Sequence, residues 1–136
     1  MPSSNSPIDK IISIQSFESD GKLKLLRGYI GGGFQVNDDF ISGSILLAPR
    51  DVQQFPVSDA SQLTLELLAS HIDIIEPELF LIGVGGNPTH LYQPFRDYFK
   101  KRAIGLDIMS TASACRTWNV LQSEGRKVAA CLIAII

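Results

Sequence analysis

Apolar residues change their spacing several times along the chain, and each change marks an element. Ile11, Ile12 and Ile14 open a short strand after a Ser/Pro/Asn-rich tail at residues 1–9. Tyr29 to Val36 joins aromatic and β-branched residues to the run Gly31-Gly32-Gly33, which predicts a sharp bend inside a strand. Asn37-Asp38-Asp39 is a turn signal and Phe40 to Leu47 follows as a second strand, so the pair reads as one glycine-bent β-hairpin. Pro49 to Ser58 reads as an irregular connection. Asp59-Ala60-Ser61-Gln62 resembles a capping box. Leu63, Leu67 and Leu68 then place one apolar stripe on a helix running to about His71.

The second half reads as alternating strands and helices. Glu78 to Val84 is a buried strand with Leu79-Phe80-Leu81-Ile82 as its centre. The turn Gly83-Val84-Gly85-Gly86-Asn87-Pro88 opens a helix near Pro88 or Thr89, on which Leu91, Phe95, Tyr98 and Phe99 share a face. Lys100, Lys101 and Arg102 suit the negative end of that helix dipole. Ile104 to Met109 is the next strand, and the whole has the length of a βαβ unit. Ser110 or Thr111 caps a third helix through Glu124, stopped by Gly125, with Ala114, Trp118 and Leu121 facing inward. Val128 to Ile136 is apolar throughout, the mark of an interior strand. The pattern predicts a single α/β domain over residues 10–136, a mixed sheet with helices packed on it and the glycine hairpin at one end.

Composition narrows the function classes. The chain has 136 residues, 45% hydrophobic and 19% charged, enough to bury one core without disulfide or metal staples. Its net charge of −2 lacks the positive excess that displaces counterions from phosphates, so nucleic-acid binding is not expected. Two cysteines, Cys115 and Cys131, and two histidines, His71 and His90, offer no metal-ligand spacing. So few cysteines suit a reducing compartment, and the N-terminus has neither a signal-peptide apolar run nor transit-peptide arginines. The longest apolar stretch, nine residues at Val128 to Ile136, is too short to span a bilayer. A cytoplasmic protein without membrane insertion is the expectation.

Three segments could carry chemistry. The turn at residues 83–89 sits where a doubly wound sheet binds phosphate. Yet Pro88 replaces the third glycine of G-x-G-x-x-G and no Gly-Lys-Ser/Thr follows, so a tight strand-to-helix turn explains it better. Residues 109–119 place hydroxyls at a helix start and the Cys115 thiol one turn in, beside Arg116. A helix N-terminus and a neighbouring cation lower a thiol's pKa, but a nucleophile needs a base as well. No spacing ties either histidine to Cys115, and packing beside Trp118 accounts for it as a small apolar residue. Arg116, Asn119, Glu124 and Arg126 form a polar series that reads as a hydrogen-bond network holding the helix. Phe95 to Arg102 interleaves aromatic and basic residues, a pattern met at RNA and anionic surfaces. Helical periodicity explains it with aromatics inward and charges outward. The basic helix end also raises peripheral association with a membrane complex.

Several of these residues carry a likeness. Gly28-Tyr29-Ile30-Gly31-Gly32-Gly33-Phe34, Ser44 to Pro49 and Leu81 to Gly85 resemble the small Mth-like α/β domains. The most specific part is Met109 to Leu121 with Glu124-Gly125-Arg126. That family includes mitochondrial complex I assembly factor three, an adipogenesis-associated protein and many uncharacterised bacterial proteins; this chain is most similar in form to the bacterial members. The family usually has Asp where Ser110 stands, Tyr or Phe at Trp118, Gly-Thr-Gly where Val84 intervenes, and Trp near Phe55. The resemblance implies a three-layer α/β fold with a central mixed sheet and attached hairpin. It also implies a non-catalytic, protein-binding or assembly role, with a membrane-complex subunit among the candidate partners and no cofactor or metal. The motif residues Gly83, Gly85, Met109, Thr111, Cys115, Arg116, Thr117, Asn119, Glu124 and Arg126 are the expected functional pocket. The competing expectation is a small-ligand protein or enzyme using a Cys115/Arg116 pocket at the start of the last helix.

Overall fold

The computed structural model describes residues 21–86 and 93–135. The tail at 1–9, the strand opening at Ile11, the helix start near Pro88, His90 and Leu91 lie outside the described residues. The elements in order are β1 (Leu26–Ile30), β2 (Gly33–Val36), β3 (Asp39–Ser42), β4 (Ile45–Ala48), β5 (Asp51–Gln54), α1 (Leu65–Ile75), β6 (Leu79–Gly83), α2 (Gln93–Lys101), β7 (Gly105–Met109), α3 (Thr111–Ser123) and β8 (Val128–Leu132). Strands β1-β2-β3 form a small antiparallel sheet. The larger sheet is mixed, in the order β5-β4-β8-β6-β7, with β6 parallel to both β7 and β8 and β4 antiparallel to both β5 and β8.

Strict alternation in the central strands divides the interior in two. Phe80, Ile82, Ala129, Cys131 and Leu46 face one side, where Leu68 and Ile72 of α1 and Phe95 and Phe99 of α2 cover them. Leu81, Val128, Ala130, Leu132, Ile45 and Leu47 face the other, against Ala114 and Trp118 of α3 and Leu26, Phe34 and Ile41 of the small sheet. Each fully buried large side chain contributes about 1.5–3 kcal/mol, so two such layers on one sheet drive the fold. The result is three layers: helices, the mixed sheet, and a helix with a small sheet.

The first half of the chain departs from its sequence reading in four places. The expected hairpin is a three-stranded sheet, because Gly43, at φ +83°, breaks the run from Phe40 to Leu47 and passes the chain from β3 into β4 of the other sheet. Gly31 and Gly32 both have positive φ, the geometry of a two-residue hairpin turn between β1 and β2. The segment 49–58, expected to be irregular, contains β5, a strand too polar to show apolar alternation. Asp59 caps only a 3₁₀ turn, Ala60–Gln62; α1 starts at Leu65, where the Thr64 side chain accepts from the Leu67 N–H at 3.3 Å. The last strand ends at Leu132, and residues beyond it bond the connections of the small sheet: Gly32 N–H donates to Ile135 O and Ala134 N–H to Ser44 Oγ.

Candidate functional site

The carboxyl ends of β6, β7 and β8 meet at Thr111, the first residue of α3. Its side chain is fully buried. The hydroxyl donates to Ile133 O at 2.6 Å and accepts from Gly85 N–H at 2.9 Å, while Thr111 N–H donates to Gly85 O at 2.9 Å. One residue therefore ties the exits of two strands to a helix. Gly83 makes the approach possible: a Cβ there would lie 2.9 Å from Thr111 Cα and 3.1 Å from its Oγ1. Gly85, at φ +97°, supplies a conformation L side chains avoid. Ser110 is the N-cap, its Oγ accepting from Ser113 N–H at 3.2 Å. Met109 Sδ accepts from the Thr117 hydroxyl at 3.6 Å.

Further along α3, a polar stripe grips the segment that leads into β1. Trp118 Nε1 donates to Lys24 O at 2.8 Å, and Gln122 Nε2 donates to both Lys24 O and Pro49 O, at 3.0 and 2.7 Å. Asn119 acts as a second strand would: Nδ2 donates to Leu26 O and Oδ1 accepts from Leu26 N–H, both at 2.8 Å. At the far end, Gly125 adopts φ +73°, and Arg126 N–H returns to Leu121 O, closing the helix as a Schellman-type cap. Arg126 Nε then pairs with Glu78 Oε1 at 2.7 Å, at the amino end of β6. Glu78 is held below the usual carboxylate range by that hydrogen bond first, then by the backbone N–H of Lys127.

The ten residues expected to share a pocket are thus strung along a helix. Gly83, Gly85, Met109, Thr111 and Thr117 lie at one end of the sheet, and Glu124 and Arg126 at the other. Thirteen helical residues rise about 20 Å, too far for one small ligand to touch both groups. Arg116 is exposed and reaches back to Ser113 Oγ at 3.3 Å. Cys115 is buried beside Trp118, and burial pushes its thiol up to about 12, against a smaller opposite pull from Arg116. That desolvation works against the helix-start thiolate of the competing enzyme reading and agrees with the thiol packing as a small apolar residue. His71 packs edge-on to Phe55 across the sheet from Cys115, so it cannot serve as its base. Cys131 lies on the same far side, its thiol also raised to about 12 by burial. Among the described residues no three His, Cys, Asp or Glu side chains gather as metal ligands, and no helix is long and apolar enough to cross a membrane.

Gln122 is the residue the sequence reading missed; it takes the buried place given to Leu121, which is half-buried. The signal was present: a carboxamide four residues after Trp118 and eight after Ala114, inside an apolar stripe, announces buried carbonyls to be met. The family model described as "Protein of unknown function (DUF498/DUF598)" matches residues 26–133, from β1 to just past β8. The chain belongs to the DUF498/DUF598 family. Among curated relatives, this DUF498 chain is 32% identical over 111 residues to the zebrafish (Danio rerio) protein named NADH dehydrogenase [ubiquinone] 1 alpha subcomplex assembly factor 3. That match takes in 80% of this chain and 63% of the relative, so the DUF498 domain spans less than two thirds of it. A crystal structure titled as an outer membrane protein from Bartonella henselae superposes with a TM-score of 0.77 at 31% identity, over 85% of this chain and 98% of that one. A solution structure from Bordetella pertussis, titled a Mth938-like domain, gives 0.68 at 27% identity, over 81% and 85%. The Mth-like resemblance read from the motifs is thereby established.

Proposed function

We propose that the protein is a non-catalytic binding or assembly factor that acts through a protein partner, in the manner the name of its curated relatives indicates. One observation supports this above the rest. The chemically capable groups of residues 109–126 are engaged in holding backbone: Thr111 on Gly85 and Ile133, Trp118 and Gln122 on Lys24, Asn119 on Leu26. Their arrangement joins two sheets, and among the described residues it poises no acid–base pair or nucleophile over a cleft. The burial of the Cys115 thiol argues in the same direction. Meanwhile apolar side chains stand in solvent on the small sheet, Ile30 at 78% exposed and Phe40 at 50%, as surfaces that meet partners do.

A cytoplasmic location and a subunit of a membrane complex as the partner both follow from this reading. The test is affinity capture of the tagged full chain after mild cross-linking in its native cell. A discrete partner, lost when the fold is kept but the surface altered by Ile30→Asp with Phe40→Asp or by Ile74→Asp, is expected. A chain recovered alone, or one that turns over a small molecule in a Cys115-dependent way, overturns the proposal.

A further inference from the structure

The edge of the large sheet at β5 carries an interaction surface of its own. Asp51 to Gln54 pair with β4 on one side, in the register Ala48↔Asp51, Leu47↔Val52, Leu46↔Gln53 and Ile45↔Gln54. Phe55 N–H donates to Ser44 O at 2.8 Å, which continues the ladder and fixes its phase: residues 51, 53 and 55 bond to β4. The backbone N–H and C=O groups of Val52 and Gln54 therefore point away from the sheet, toward the open edge. β7, at the opposite edge, sets Asp107 at its middle, a charge that discourages strand addition. β5 has no such charge between Asp51 and its end.

Two hollows flank that open edge and share Gln53. The first, of about 280 Å³, lies where α1 overhangs the strand; Val52, His71, Ile74 and Ile75 line it, with Asp51 at its end. Ile74 is 80% exposed there. The second, of about 720 Å³, continues past Gln54 and is lined by Ser42, Gln54, Pro56, Ser58 and Gln62 among others, with no ionisable side chain. Carboxamides and hydroxyls both donate and accept, as a peptide backbone does. Among the described residues lining the two hollows, Asp51 is the one carboxylate, and burial lowers the pKa of His71 from its ordinary value.

We infer that β5 receives an extended segment of a partner polypeptide as a sixth strand. The segment has alternating apolar residues toward Ile74, uncharged residues in the larger hollow, and a basic residue opposite Asp51. Such strand addition draws affinity from main-chain hydrogen bonds and specificity from alternate side chains. Four residues of β5 span about 13 Å, so a peptide of five or six residues fills the edge. This deepens the protein-binding reading and rests on it.

The test selects from a phage library of random twelve-residue peptides on the immobilised full chain, then measures amide hydrogen exchange with the synthesised winners. The expected peptides alternate apolar and uncharged polar residues with Lys or Arg at one end, and slow exchange at Val52 and Gln54 at least tenfold. Gln54→Pro removes one outward N–H without touching the β4 ladder, with Gln54→Ala as the control that loses only the side-chain bond from Nε2 to Ser42 O at 2.8 Å, and Ile74→Asp places a charge in the first hollow. Gln54→Pro weakens binding about tenfold relative to Gln54→Ala, Ile74→Asp does so with the unfolding midpoint unchanged, and Asp51→Lys shifts selection toward acidic peptides. Four results overturn the inference. Enriched peptides leave Val52 and Gln54 unprotected; or those amides are already slow in the free monomer, covered by the chain's own residues 1–20; or their protection grows with protein concentration, showing a second copy on the edge. Cross-links to a native partner that map to Ile30 and Phe40 instead would refute this edge while leaving the proposed function standing.

Discussion

Replacing Thr111 by Val tests whether the helix start is a structural tie. Valine keeps the shape of the side chain and deletes its hydroxyl. Two buried groups then lose their partner: the Gly85 N–H, bonded at 2.9 Å, and the Ile133 C=O, bonded at 2.6 Å. Leaving one buried polar group unmet costs about 1–3 kcal/mol, so the pair together costs about 2–6 kcal/mol. Thr111→Ser keeps both bonds and removes one methyl group, a loss of about 1 kcal/mol. Urea unfolding followed by far-UV circular dichroism reads the difference as a fall in midpoint at constant m-value. For a domain of this size the valine variant should also melt on the order of 10 °C lower. A valine protein within about 0.5 kcal/mol of the parent, or a serine protein less stable than the valine one, would refute the reasoning. It would return Thr111 to the candidates for ligand contact.

The other expectations concern the same framework. Gly83→Ala drives a Cβ to 2.9 Å from Thr111 Cα, which is backbone and cannot rotate away, so a loss of about 1–3 kcal/mol in the same urea assay is expected. Asn119→Ala removes both bonds to Leu26; amides of β1 and β2 should exchange faster while those of β6 and β8 keep the global rate. Cys115 and Cys131 have folded thiols raised to about 12 by burial, so the unfolded chain releases these protons first as pH rises above about 9. Stability should therefore fall from about pH 9 toward 12, less steeply in Cys115→Ala with Cys131→Ala; an identical slope in that variant would exclude the thiols as its source. Iodoacetamide should label neither cysteine at pH 7 until the protein unfolds, as mass spectrometry of the intact chain can show.

The second half of the fold was legible because its signals are local and strong. The run Leu79 to Ile82, the aromatic spacing of Phe95 and Phe99, and the Gly125 stop each name an element whose packing the structure repeats. The first half was not, because its decisive features are single residues acting on long-range topology. Gly43 redirects a strand from one sheet to another, and no alternation records which sheet a strand joins. β5 escaped notice since Asp51-Val52-Gln53-Gln54 has one apolar position, the others facing solvent or an open hollow. At the candidate site the sequence showed which groups were present but not their partners. Hydroxyls, an indole and two carboxamides at the start and middle of a helix suit a ligand pocket as well as a backbone clamp. Lys24, 98 positions before Gln122, decides between the two.

That clamp explains why the polar groups sit on α3 and not elsewhere. A sheet of three short strands needs a hydrophobic face packed against another element to hold its shape. Its inner face supplies Phe34, Val36 and Ile41 to the core, which fixes its distance from the larger sheet but not its rotation over it. Hydrophobic burial is non-directional, so orientation must come from directional bonds. Asn119 grips β1 through one residue's N–H and C=O, Trp118 and Gln122 grip the segment leading into it at Lys24, and the turn at Gly32 is pinned by Ile135 O. Held at both ends, the small sheet keeps Ile30 and Phe40 outward, since it packs on the face of the larger sheet away from α1. The residues of α3 richest in hydrogen-bonding groups thus spend those groups on orienting one sheet over the other.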